Sequence, residues 1–258
     1  MILSTSTNLL FLRPDHRIYP IDLSMEAIFR AGFTEQDMNF YDWATTPGSP
    51  YMGDGWQEWL ELVLETQRRL SVSFCQSHAY FYDFADTGMD ESERAYHEEQ
   101  VMRSIRCAQA MGVRTLVVHP CTVLGSEWPV KKSREKNIRY YTELLEKTHD
   151  YGVTFAIENM WDADISPGRK YCAAPEELME LVDAIHDERI GICWDFEHGD
   201  LMGQDQPAVI RALGKRLKAT HVSEQHGFTD LRKLHRLPLS GNICWRPIME
   251  ALHETGYD

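Results

Sequence analysis

The strongest constraint on this chain is a repeated alternation. Short runs of β-branched and apolar residues are followed by longer amphipathic runs, and several of these stop at a glycine. The strand-like runs cover residues 2–7, 37–41, 71–76, 115–119, 153–158, 190–195 and 218–224. Helical periodicity fills 23–31, 55–69, 90–111, 133–151, 175–187 and 207–214, with a last run at 245–255. Gly32, Gly112 and Gly152 stand where a helix gives way to the next strand, and glycine tolerates the left-handed cap such a junction needs. Pro175, followed by Glu176 and Glu177, marks a helix start. Repeated strand–helix units predict an α/β fold on a parallel sheet.

The 258 residues suit an α/β barrel, which takes about 250 as one domain. No linker, low-complexity tract or shift in composition divides the chain, so a single domain over 1–258 is expected. Only seven strand-like runs are present, whereas a parallel barrel closes with eight. The last helical run ends in "ETGYD", a glycine stop of the kind that elsewhere precedes a strand. Either the sheet is open and doubly wound, or the fold is a (β/α)8 TIM barrel, C-terminally incomplete, whose eighth strand follows Asp258.

Lys and Arg number 26 against 40 Asp and Glu, a net charge of −14. Such a balance opposes a broad grip on a phosphate backbone, so nucleic acid is not an expected partner. No apolar run approaches the length of a bilayer span, and the N-terminus lacks the basic start of a signal peptide. The six cysteines form no C-x-x-C pair and are expected to be reduced. A cytoplasmic location without membrane association is the expectation.

The polar residues fall in a pattern. His78 follows the third strand, His119 ends the fourth, Glu158 the fifth and Asp195 the sixth, with His198 just beyond; His221 and Glu224 lie on the seventh. In a barrel these strand ends share one face, where active sites are built. One histidine at a strand end is most often a satisfied hydrogen-bonding residue, but five successive strands with such an ending point to a convergent site. Glu158, Asp195 and His221 offer two carboxylates and an imidazole, a donor set suited to Mn²⁺, Mg²⁺, Co²⁺ or Zn²⁺. His198 has two readings, a ligand of a second ion or a partner of substrate oxygens. Glu224 either orients His221 or sits in an exposed loop. Glu197 is expected to face solvent or a neighbouring loop. Tyr41, Trp43, Tyr80, Phe81, Tyr82, Trp128 and Trp161 all follow strands, and aromatic faces there suit the C–H surfaces of a sugar; some would only roof the fold. Arg169 and Lys170 are candidate anion anchors.

The segments "AGFTEQDMNFYDW", "LVVHP", "AIEN", "WDFEH", "THVSE" and "LPLSGNICWRPIMEALHETGYD" occur in an order that resembles the xylose isomerase-like TIM barrels. That superfamily holds sugar and sugar-phosphate isomerases and epimerases together with metal-dependent apurinic endonucleases. The resemblance implies one divalent metal held by Glu158, Asp195, His221 and a further glutamate on the eighth strand. It makes Glu158 and that glutamate the acid/base pair for proton transfer through an enediolate, with His198 binding substrate. His78, His119, Trp161 and Glu224 are assigned to substrate contacts, and the partner is a small sugar. His78 and His119 also match zinc positions of the endonucleases, so a phosphodiesterase is the alternative. The acidic balance opposes it, as does Lys233-Leu234-His235 where those nucleases carry Asp-x-His. A non-catalytic barrel subunit is the third reading. Association of like copies is common in that superfamily, though no stretch here marks an interface.

Overall fold

A computed structural model describes residues 2–11, 17–125, 127–162, 170–227 and 233–257. Strands β1 (Thr5–Ser6), β2 (Glu35–Asn39), β3 (Ser73–His78), β4 (Thr115–Val118), β5 (Thr154–Glu158), β6 (Ile190–Asp195) and β7 (Leu217–His221) alternate with helices. These are α1 (Ile21–Arg30), α2 (Phe40–Thr45), α3 (Trp56–Leu70), α4 (Glu91–Met111), α5 (Pro129–Lys147), α6 (Pro175–Ile185), α7 (Phe196–Leu201), α8 (Gln206–Leu213) and α9 (Trp245–Thr255). The α/β alternation read from the sequence is therefore present. Among the described residues no helix is long and apolar enough to cross a membrane.

The chain divides into two compact units. The first combines residues 1–82, 89–117 and 150–153, and carries β1, β2, β3 and the body of β4. Its strands lie in chain order with parallel pairing. Trp43, Tyr51 and Trp59 are buried there, with the Trp59 ring centroid 5.2 Å from that of Trp43 and 5.1 Å from that of Tyr51. The buried Arg103 guanidinium donates to the Tyr51 carbonyl at 2.7 Å and lies 5.2 Å from the Trp56 ring centre. The second unit combines 83–88, 118–149 and 154–258, with β5, β6 and β7 parallel and again in chain order.

Local chemistry explains the boundaries. Asp90 and Glu93 form a reciprocal capping box at the start of α4, with bonds of 2.9 and 3.1 Å, and Gly112 ends the helix at φ +78°. All six residues of β6 are buried, as in a parallel strand covered on both faces. Gly191 on β6 must be glycine, because a Cβ there would lie 2.8 Å from the Arg216 carbonyl oxygen. Asparagine and aspartate caps set the ends of two strands. The run 37–41 stops being a strand at Asn39, whose side chain accepts from Asp42 N at 3.2 Å and turns Phe40 and Tyr41 into α2. The strand read at 190–195 is β6 as observed, and it passes straight into α7, because Asp195 is the N-cap of that helix.

The loop after β4 shows how helices set strand ends. Asn137 of α5 is fully buried. Its amide donates to the Cys121 and Ser133 carbonyls, both at 2.7 Å, and accepts from Cys121 N at 3.0 Å. The side chain thus replaces a missing strand partner for a backbone that leaves the sheet just beyond His119. Asn137→Ala should remove its bonds to both backbone groups of Cys121 and destabilise the protein by roughly 2–4 kcal/mol, read as a lower urea midpoint with unchanged slope. A variant as stable as the parent would show that this amide is not a structural clamp.

Candidate metal centre

Register places the donors on one face. Glu158 pairs with Cys193, Cys193 with Ala219, and Asp195 with His221. Side chains alternate along a strand, so Cys193 and Asp195, two residues apart, share a face with Glu158 and His221. A register shift between Ile192 and Cys193 brings Asp195 level with His221. One donor atom from each of Glu158, Asp195 and His221 lies within 4.8 Å of the others. His221 Nδ1 donates to Glu158 Oε1 at 2.8 Å and stands 3.8 Å from Asp195 Oδ2.

This set fits a divalent cation. Donors bound to one ion at 2.0–2.6 Å are separated by at most about 5 Å, which the observed spacing satisfies. Glu158 and Asp195 are 2% and 3% exposed. Two carboxylates so deeply placed need a positive charge beside them. Burial pulls the His221 imidazole down, but the Glu158 carboxylate hydrogen-bonded to it favours the charged ring, and the balance lies well above the ordinary value. The Nδ1–H that His221 turns to Glu158 stands where an ion would sit, and an ion bound there would displace that hydrogen. Cys193 lies beneath this cage, fully buried, with its thiol pushed up to about 12 chiefly by burial. It therefore stays a neutral packing group.

Asn159 and Asp195 lock the two strand ends together. Asn159 Nδ2 donates to the Asp195 carbonyl at 3.0 Å, and Asp195 N donates to Asn159 Oδ1 at 2.6 Å. Asp195 Oδ1 accepts from His198 N at 2.9 Å as the cap of α7, which leaves Oδ2 toward the cage. One turn on, His198 Nδ1 donates to the Asn159 carbonyl at 2.7 Å. A carbonyl only accepts, so Nδ1 carries the hydrogen and the neutral ring presents Nε2 as an acceptor. That atom stands 4.0 Å from Asp195 Oδ2.

The remaining predicted residues have separate placements. His119 Nε2 donates to Glu158 Oε2 at 2.9 Å, so both oxygens of Glu158 are engaged by imidazoles. The Trp161 ring centre is 6.2 Å from that of His198. His78 closes β3 in the first unit, with Nδ1 donating to the Ala79 carbonyl at 3.0 Å and its ring 5.5 Å from that of Phe81. Glu224 is fully buried and accepts at Oε1 from Leu239 N at 2.6 Å and Trp245 Nε1 at 2.5 Å. With the backbone bridge between Glu224 and Arg236, these bonds fasten the connection from β7 to α9. Neither sequence reading of Glu224, a brace for His221 or an exposed loop residue, describes these bonds. Among the aromatic residues, Trp43, Tyr80 and Tyr82 are buried, while Tyr41 and Phe81 stack half-buried with centroids 4.1 Å apart. Arg169 lies outside the described residues.

Glu197 was underestimated by sequence reasoning. It is fully buried; Oε2 accepts from His235 N at 2.5 Å and Ser223 Oγ at 3.4 Å. Of the two expected environments, loop rather than solvent, the loop is found, and burial raises the carboxyl above its usual range. The sequence signal was present in the helical offset: Asp195 as cap turns Glu197 away from the cage and under the segment bearing His235. Glu197→Ala should cost roughly 1–3 kcal/mol of stability while divalent-metal stoichiometry, measured by elemental analysis, stays at the parent value. Loss of metal in that variant would place Glu197 in the centre itself.

Comparison with known proteins gives the chain a family. An uncharacterized protein of Methanocaldococcus jannaschii is 28% identical over 203 residues, covering 77% of this chain and 66% of the relative. Inosose isomerase of Bacillus velezensis is 23% identical over 180 residues, covering 66% of this chain and 60% of the relative. The chain thus spans about half to two thirds of the length of such curated relatives. Among solved structures, a D-tagatose 3-epimerase-like protein superposes with TM-score 0.76 at 24% identity, covering all of this chain and 88% of that one. The IOLI protein with a bound zinc atom gives TM-score 0.75 at 17% identity, covering all of this chain and 86% of that one. A family model described as xylose isomerase-like TIM barrel matches residues 25–258. A parallel α/β chain with carboxylates and imidazoles gathered at its strand ends, matched over nearly its whole length by that model, belongs to the xylose isomerase-like TIM barrel family.

Proposed function

We propose that this chain is a divalent-metal-dependent isomerase or epimerase of a sugar, free or phosphorylated, acting by proton transfer next to a carbonyl. The observation that carries the reading is Glu158, a buried carboxylate with each oxygen held by a different imidazole, inside a donor set that fits a divalent cation. Inosose isomerase among the relatives and the epimerase-like protein among the neighbours support it.

Glu158, Asp195 and His221 would hold the ion. When bound, such an ion supplies positive charge that lowers the energy of a developing enediolate. Glu158 removes the proton from the carbon beside the carbonyl, and its Oε2, next to His119 Nε2, is where that proton rests. His198, with Nδ1 tied to Asn159, offers Nε2 to a substrate hydroxyl and fixes which carbon faces Glu158. Trp161 gives the sugar an apolar wall beside His198.

Incubation with the metal and a panel of ketoses, aldoses and inosose in deuterated water should place deuterium on carbon. Efficient cleavage of abasic DNA with no such exchange would replace this reading with the phosphodiesterase.

The site residues should separate in variants. Asp195→Asn should lose metal and activity together. His198→Ala should retain most of the metal yet lose about 10²-fold or more in kcat/KM, as expected for a positioned polar group. Glu158→Gln should abolish exchange. Metal content measured alongside activity decides the assignment: if His198→Ala empties the site as fully as Asp195→Asn, His198 is a ligand.

A further inference from the structure

Three side chains of α5 follow the backbone that leaves β4. Ser133, Asn137 and Tyr141 recur at intervals of four, so they lie along one face of the helix. Each is buried, at 0%, 0% and 2% exposure. Ser133 Oγ accepts from Val123 N at 2.8 Å, the Asn137 amide holds both backbone groups of Cys121, and the Tyr141 hydroxyl donates to the His119 carbonyl at 2.5 Å. The helix thus grips residues 123, 121 and 119 in turn. Four helical residues advance about 6 Å and two residues of extended chain about 6.6 Å, so the two spacings nearly coincide. The stripe does for this loop what a neighbouring strand does inside a sheet.

The last rung reaches the metal centre. His119, whose carbonyl Tyr141 holds, turns its Nε2 to Glu158 Oε2 at 2.9 Å. A phenol carries one hydrogen, and that of Tyr141 is committed to the carbonyl. Burial keeps this phenol well above its ordinary value, so it stays a donor. Its ring lies edge-on to Phe84 and Tyr140, with interplanar angles of 89° and 82°, so packing fixes where the hydroxyl points.

We propose that Tyr141 is a positioning residue: through the His119 carbonyl it sets the imidazole that holds Glu158 Oε2, the oxygen that takes the substrate proton. The chemistry in this proposal rests on the isomerase reading, whereas the placement of His119 rests on geometry alone. A carboxylate shifted by a fraction of an ångström from the reacting carbon loses rate far more than substrate affinity, so the effect of losing the hydroxyl falls on kcat.

The test compares two variants that each lose one buried hydroxyl. Tyr141→Phe keeps the ring and removes the bond to His119. Thr148→Val is the control: Thr148 is fully buried just past the end of α5, and its hydroxyl donates to the Leu144 carbonyl at 2.6 Å, outside the stripe. Both should lower the melting temperature by about 2–6 °C with divalent-metal stoichiometry at the parent value. Nitrogen-15 NMR of histidine-labelled full chain, after chelation of paramagnetic ions and with His119 assigned through His119→Gln, reads the imidazole directly. In Tyr141→Phe the His119 Nε2–H signal should move, and its exchange with water should quicken about three- to tenfold; in Thr148→Val both should match the parent. On whichever ketose or aldose the parent exchanges deuterium, Tyr141→Phe should lower kcat about three- to thirtyfold with KM within about twofold of the parent, while Thr148→Val keeps both. The proposal is overturned by a parent-like His119 signal in Tyr141→Phe, by an equal change in Thr148→Val, or by a parent-like kcat in Tyr141→Phe. A parent that exchanges deuterium on none of the sugars refutes the isomerase reading instead, and the His119 signal then still decides whether Tyr141 places that ring.

Discussion

Glu158 and Asp195 end neighbouring parallel strands with almost no exposure, and their mutual repulsion is the constraint around which the site is built. Carboxylates cannot be desolvated side by side without a compensating charge. The protein supplies imidazoles at 2.8 and 2.9 Å to the two oxygens of Glu158, and the raised basicity of His221 is the response to that crowding. A divalent ion in the cage would provide the same compensation more strongly. Binding of such an ion would displace the Nδ1 hydrogen of His221, which would link affinity to pH.

Precision in this cage comes from side-chain amides that stand in for missing backbone partners. At a strand end the sheet ladder stops, while buried N–H and C=O groups still need bonds. Asn159 answers both backbone groups of Asp195, and Asn137 both backbone groups of Cys121. Each amide therefore fixes the loop that follows a functional side chain. The Asp195 carboxylate divides its work in a similar way: Oδ1 caps α7 and Oδ2 faces His221. Helix start and donor position are set by one residue.

Elements with strong periodic patterns were legible from the sequence. The helix read at 245–255 is Trp245–Thr255 in the structure, and the strand read at 190–195 is Ile190–Asp195. Short segments were harder. Phe40 and Tyr41 carry strand-like chemistry yet lie in α2, because a single hydrogen bond from Asp42 N to Asn39 turns the chain there. The run read as a strand over 2–7 forms one only at Thr5–Ser6, and Thr7 opens a 3-10 turn that Ser6 caps. In each case a local cap outweighs residue preference.

What the sequence by itself determined is the order of strands and helices and the identity of the polar residues at strand ends, since both follow from periodicity and from the chemistry of the side chains. What only the tertiary structure decided is which of those residues meet. Glu158 and His221 are 63 positions apart in the chain and 2.8 Å apart in space. Glu197, in the same short stretch as Asp195 and His198, is buried beneath a loop instead, and Glu224, three residues past His221, clamps Trp245. Register and helix phase choose among neighbouring carboxylates, and both are properties of paired elements that no single segment encodes.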